Sequence, residues 1–258
     1  MDDEEFPGYV AGRLAELPRV EAVNLGGSRG QGTHRPDSDW DFAIYYRGHF
    51  DPQALRDVGW PGEVFELGAW SEGVFNSGAW LQISGQRADV HYRDLEVIER
   101  ELTAAQSGSF RIEPLLFHLA GIPSYLVLAE LALNQVLRGS LPRPAFPAEL
   151  RRTAPPVWWD RADRTFGYAL ANHARSGRLA QCAGLVAQAA SFAAHAVLAA
   201  RGEWITNEKT LLTRADLRPV DQVVAAASDD PAALARMVDE ARSLCAELVR
   251  QATAGRRY

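Results

Sequence analysis

Val20-Glu21-Ala22-Val23-Asn24-Leu25-Gly26-Gly27-Ser28, followed after a polar stretch by Asp39-Trp40-Asp41-Phe42-Ala43-Ile44-Tyr45, is where the fold is decided. Val20 to Leu25 is apolar or β-branched at alternate places, and Gly26-Gly27-Ser28 then punctuates it, which reads as a strand, a turn and the start of a helix. Residues 29–38 contain Gly, Pro and Asp and cannot extend a regular element far, so they are expected to be mainly loop. From Asp39 the chain alternates charge with bulk before turning wholly apolar, the pattern of a strand running from a solvent-facing edge into a core. Side chains two apart on a strand project to one face, so Asp39 and Asp41 are expected to share a side.

Outward from this stretch, Phe6, Tyr9, Val10, Leu14 and Leu17 keep helical spacing and predict a short amphipathic helix over residues 4–17, with Pro7 tolerated in its first turn. Ala79 to Ile83 and Arg87 to Tyr92 flank Ser84-Gly85-Gln86 and predict a β-hairpin. Asp94 is placed to cap the following helix, in which Leu95, Ile98, Glu99 and Leu102 are helically spaced. After about residue 115 the texture changes to long Ala- and Leu-rich segments. Helices are expected over 125–137, 161–175 and 179–200, the last apolar nearly all round, with proline-containing residues 141–156 as a connecting segment. A closing helix is capped by Asp230, has Pro231 in its first turn and carries one apolar stripe of Leu234, Met237, Val238, Ala241, Leu244 and Leu248. The fold class is α+β: a mixed α and β domain over residues 1–115, then an all-α helical domain over residues 116–258.

Composition narrows the function. No stretch approaches the roughly 20 uninterrupted apolar residues of a membrane span, and Met1-Asp2-Asp3-Glu4-Glu5 is acidic where a secretory signal is basic. A cytoplasmic protein without membrane association is expected. Cys182 and Cys245 are the only cysteines, each within a helical pattern, which reads as buried reduced thiols. A formal charge of -6 argues against extended binding along a nucleic acid. Lys209 is the only lysine among many arginines, and a lysine that persists in such a chain fits a role as a compact point charge.

The residue types that carry chemistry are Gly27, Ser28, Asp39, Asp41 and Asp89. Paired aspartates are hard oxygen ligands suited to Mg²⁺, which binds through one or two carboxylates plus substrate phosphates. The Gly27-Ser28 turn offers backbone N–H donors and a hydroxyl to phosphate oxygens. Taken alone, an Asp pair before a strand is a common solvated turn, and Asp89 a common surface carboxylate. No Gly-Lys-Ser/Thr follows the glycines, so neither a P-loop nor a dinucleotide fingerprint is present. His34 and His49 read as surface residues, and His118, His173 and His195 as bundle residues. Trp60, Trp70 and Trp80 read as core aromatics or as the wall of an acceptor pocket.

Leu25-Gly26-Gly27-Ser28, Asp39-Trp40-Asp41-Phe42 and Ala88-Asp89-Val90 together resemble the signature of the DNA polymerase beta-type nucleotidyltransferase superfamily. Within it the chain is most similar to small two-lobed bacterial enzymes related to aminoglycoside and lincosamide nucleotidyltransferases. The resemblance implies a catalytic mixed β-sheet flanked by helices and followed by a helical bundle. It implies transfer of a nucleoside monophosphate, AMP from ATP, to a hydroxyl of a small-molecule acceptor such as an aminoglycoside-type antibiotic. Two Mg²⁺ ions would be held by Asp39, Asp41 and Asp89. Asp89 would double as the proton acceptor, with Glu66 or His91 next in line. Gly27 and Ser28 would bind the triphosphate, with Arg29 and Lys209, the latter in an Asn-Glu-Lys element, neutralising it. The alternative is a nucleotidyltransferase-fold antitoxin or binding module acting on a protein or RNA partner. Oligomeric state, nucleobase preference and acceptor identity are not encoded in any motif.

Overall fold

The computed structural model describes residues 2–255; Met1 and residues 256–258, the outermost ends of the two expected domains, lie outside the described residues. The chain divides into two compact units, one formed by Met1–Ala104 with Pro123–Ala145, the other by Ala105–Ile122 with Phe146–Tyr258. In chain order the strands are β1 (Val20–Leu25), β2 (Trp40–Tyr46), β3 (Gly62–Val64), β4 (Gly78–Ile83), β5 (Gln86–Asp94), the two-residue β6 (Ile112–Glu113) and β7 (Ile122–Pro123), and β8 (Gln135–Arg138). The helices are α1 (Phe6–Ala15), α2 (Gly27–Gly30), α3 (Pro52–Arg56), α4 (Leu95–Gln106), α5 (Leu126–Leu133), α6 (Ala148–Asn172), α7 (Leu179–Arg201), α8 (Leu211–Arg214), α9 (Val220–Ala225) and α10 (Pro231–Ala254).

The first unit is built on a six-stranded mixed sheet in the order β3-β4-β5-β2-β1-β8. Only the central β2–β5 pair is parallel; the other pairs are antiparallel. The expected hairpin forms, with Ser84 and Gly85 both at positive φ as a tight two-residue turn demands. Asp94 ends β5 and accepts the Glu96 N–H at 2.8 Å, the expected cap of α4. Strand alternation sorts the side chains onto two faces. Trp40, Phe42, Ile44, Val23, Leu25, Ala79, Leu81, Ala88 and Val90 point to one side and close a core with Phe6, Val10 and Leu14 of α1. Asp41, Ala43, Tyr45, Asp89, His91, Arg93, Trp80 and Asn24 fall on the other.

Two expected elements are corrected. The helix expected over 125–137 ends at Leu133, and Gln135–Arg138 pairs instead with β1. Asn134 turns extended and seats its amide against Gly26, while Glu130, the one acid in an apolar helix, is claimed by a strand arginine. The expected connecting segment 141–156 is helical from Ala148, and α6 runs unbroken through Pro155 and Pro156 to Asn172. Each proline deletes a backbone hydrogen bond. Leu150, Ala154, Trp158, Ala162 and Phe166, spaced four apart, bury completely in the second unit together with Pro155, where α6 packs on α7, and that burial outweighs the loss.

In the second unit α7 lies between α6 and α10. It is long and apolar enough to cross a membrane by length and composition, but 72% of its most apolar stretch is buried inside the protein. Cys182 and Cys245 are buried and free. Asp230 accepts the Ala233 N–H at 2.7 Å, the expected cap of α10. The fully covered stripe ends on Cys245 and Val249, with Leu244 and Leu248 half-buried at its margin, because 3.6 residues per turn carry the stripe round. His195 stacks on Trp158 with centroids 4.4 Å apart, and burial depresses its pKa to about 3, so the ring is neutral.

Candidate active site

The register of the parallel pair places Asp41 directly beside Asp89. Register partners on neighbouring strands project to the same face about 5 Å apart, so two carboxylates stand side by side at the upper end of the sheet. Like charges in that position repel. Two residues before each of them the charges differ: Asp39 lies just ahead of β2, and Arg87 Nε approaches its Oδ1 at 2.7 Å. That Asp39 oxygen is shielded from solvent and accepts no hydrogen bond, so the contact is an ion pair without hydrogen-bond geometry. Among the described residues no three His, Cys, Asp or Glu side chains converge as a ready-made metal cage.

The glycine-serine turn is bolted to the same aspartate. Gly26 N–H donates to the Asp41 carbonyl at 2.7 Å. A Cβ on Gly27, whose φ is +58°, would lie 1.7 Å from Asp41 Oδ2, so only glycine lets backbone and carboxylate meet this closely. A Cβ on Gly26 would strike the Asn134 amide at 2.6 Å, and one on Gly30 the Leu25 carbonyl at 2.2 Å. The helix that Gly27 and Ser28 begin is a single turn. Arg29 folds back from it: Nε donates to Ser38 O at 2.9 Å, Nη1 to Asp3 at 3.0 Å and Nη2 to Pro36 O at 3.3 Å. Its guanidinium lies 4.0 Å above the Trp40 ring, and only 5% of the side chain is exposed. Arg29 is thus the clasp of the loop that delivers Asp39 to the sheet.

Lower on the same face, Arg93 is 1% exposed and is gripped by Glu130 of α5 through Nε at 2.6 Å and Nη2 at 2.7 Å. Burial alone would lower the guanidinium's pKa, but the Glu130 charge and hydrogen bonds more than offset it and hold it raised. Asn24 Nδ2 donates to Tyr45 Oη at 2.6 Å, and burial, aided by the Glu130 charge, pushes the phenol's pKa up. His91 sits between the two ends, its Nδ1 cut off from solvent and its pKa depressed to about 3 by burial and the Arg93 charge. Glu66 is exposed and paired with Arg56 at 2.6 Å. In the second unit Lys209 is exposed; its backbone N–H donates to Asn207 Oδ1 at 3.0 Å, while Glu208 accepts the Leu119 and Ala120 N–H groups, each at 2.8 Å. Trp60 packs against the core and against Tyr9, whereas Trp70 and Trp80 stack on the face that carries Asp89.

Residues 9–74 match the family model described as a nucleotidyltransferase domain. The matched segment holds Gly27, Ser28, Asp39 and Asp41 and stops short of Asp89, which joins the site by strand pairing. A solved structure similar to this chain is a nucleotidyltransferase-like protein from Exiguobacterium sibiricum 255-15, 12% identical over 98% of this chain and 78% of that one, with a TM-score of 0.46. No curated protein matches the chain. The matched segment carries the turn and the first carboxylates, and the hairpin beyond it supplies Asp89. Residues that sequence reasoning passed over are Arg87, Glu130 and Asn134. Arg87 is two before Asp89, in the alternation that should have matched it with Asp39. A lone acid in an apolar helix is itself a signal of a buried partner.

Proposed function

We propose that the protein transfers a nucleoside monophosphate, AMP from ATP, to a hydroxyl of a small-molecule acceptor. The observation that carries this reading is the Asp41–Asp89 pair set against a glycine turn that no side chain could occupy. The donor set fits a hard divalent cation: Asp41 and Asp89 supply adjacent carboxylates, Asp39 a third within the same strand opening, and Mg²⁺ needs only one or two protein carboxylates when phosphates fill the rest. When bound, Mg²⁺ ions held by these aspartates would acidify the acceptor hydroxyl and neutralise the leaving pyrophosphate.

The chain's own groups do the positioning. Gly27 and Ser28 admit phosphate oxygens close to the backbone, and Asp41, locked to that turn, fixes the distance between phosphates and carboxylates. The acceptor oxygen forms a bond to the α-phosphorus, the α–β phosphoanhydride breaks, pyrophosphate leaves, and Asp89 takes the hydroxyl proton. Arg29 acts through the loop it clasps. His91 Nδ1 is shielded from solvent and makes no hydrogen bond, and Glu66 is engaged by Arg56.

The test is pyrophosphate release from each of the four ribonucleoside triphosphates, with and without Mg²⁺, against a panel of hydroxyl-bearing small molecules. Mg²⁺-dependent release, greatest with ATP and lost in Asp41→Asn, is expected. Turnover in Asp41→Asn equal to that of the unaltered protein refutes the reading.

A further inference from the structure

Strand pairing shows what stands on the far side of the carboxylate pair from the glycine turn. Trp80 of β4 is the register partner of Asp89, and Glu63 of β3 is the register partner of Trp80. One row on one face therefore runs Gly26, Asp41, Asp89, Trp80, Glu63. Trp80 is 51% exposed, and two rings lie against it: Trp70 stacks on it at 5.8 Å and 25°, and Phe65 meets it edge-on at 4.8 Å. Trp70 is itself braced, stacked on Phe75 at 5.9 Å and lying so close to β4 that a Cβ on Gly78 would come within 2.6 Å of its ring. An indole fixed by two rings and left half in water closes no core. It presents a rigid flat surface one strand from the reacting carboxylates.

We propose that Trp80 is the stacking platform that orients the acceptor, taking a flat ring of that molecule on its open indole face so that a hydroxyl points toward Asp89. The inference rests on the nucleotidyl-transfer reading above for the identity of the reacting hydroxyl. The occupant's charge follows from the flanks. Trp80 lies between the carboxylates of Asp89 and Glu63, while Arg87, the cation of the adjoining row, is paired with Asp39. A neutral or cationic ring gains from that field and from the negative face of the indole, and an anionic one is repelled. The acceptor class is a hydroxyl-bearing molecule with a flat ring and no negative charge.

Tyramine, tyrosol and 4-hydroxyphenylacetate carry one ring with positive, zero and negative charge, and ethanolamine carries the positive charge with no ring. Their binding to the full chain, with Mg²⁺ and a non-hydrolysable ATP analogue, is read by ligand-observed saturation-transfer NMR, which needs no turnover. Tyramine should bind best, 4-hydroxyphenylacetate and ethanolamine worst. Trp80→Ala should weaken tyramine roughly tenfold, Trp80→Phe should retain binding within about threefold because a flat ring remains, and Glu63→Gln should narrow the gap between tyramine and the acid. Unchanged tyramine binding in Trp80→Ala, equal binding of ethanolamine, or no ring probe binding at all overturns the proposal. The two readings fail separately. Asp41→Asn turnover that persists while Trp80→Ala loses the ring removes nucleotidyl transfer and leaves the platform, and the converse pair of results removes the platform alone.

Discussion

The parallel ladder between β2 and β5 has two ends that use charge in opposite ways. At one end Tyr45 pairs with Arg93, and the cation is buried, forked onto Glu130 and flanked by a phenol that holds Asn24. At the other, four residues earlier on each strand, Asp41 pairs with Asp89, two like charges in partial contact with water. The strands, the register and the face are the same, so backbone geometry does not explain the difference. What differs is the charge facing each strand residue: a cation held by an acid at one end, two acids in register at the other. The lower end is a buried ion pair that ties the sheet to α5; the upper end, on the reading proposed above, is where a divalent cation would be held.

The largest effect expected is at the ion-paired end. Glu130→Ala strands a buried guanidinium and should cost about 3–5 kcal/mol of unfolding free energy, measured by urea denaturation; a loss below about 1 kcal/mol would mean that Arg93 finds another partner. At the paired-acid end Asp41→Asn and Asp89→Asn should each lower pyrophosphate release by roughly 10²–10³-fold, while removal of like-charge repulsion keeps stability within about 1 kcal/mol of the parent. Equal stability losses at both ends would erase the contrast. Between these in mechanism but smaller in size, Gly27→Ala forces a Cβ onto the Asp41 carboxylate at positive φ. It should cost about 1–3 kcal/mol and lower activity together with stability, which the Asp→Asn changes do not do. The smallest is Tyr45→Phe, which leaves the Asn24 amide without its partner and should cost about 1–2 kcal/mol with pyrophosphate release unaltered.

Much of the first unit was legible because its elements are short, alternate cleanly and are punctuated by glycine. β1, the hairpin and the Asp94 cap follow from pattern alone. Pattern failed where a long-range partner overrode it. Gln135 to Arg138 continue a helical texture, and only the exposed edge of β1 makes them a strand. Pro155 and Pro156 ordinarily end a helix, and only the burial of Trp158 and its neighbours against α7 keeps α6 going. In the site, Asp39 and Asp41 were read as equivalent because they are two apart. The structure distinguishes them: Asp41 lies within the ladder beside Asp89, and Asp39 falls one residue outside it beside Arg87. No local signal carries that distinction, since it depends on which residue of β5 stands opposite.

The segment Pro123–Ala145 belongs to the first unit although Ala105–Ile122 comes between. During translation, a ribosome that has released the chain as far as Ala104 has delivered every strand of the six-stranded sheet except β8, yet neither the carboxylate for Arg93 nor the amide that packs on Gly26. Until that segment has emerged the unit cannot be complete, since β1 lacks its edge partner β8 and Arg93 its carboxylate. Completion of the first unit is thereby tied to a stretch of chain well downstream of its paired aspartates.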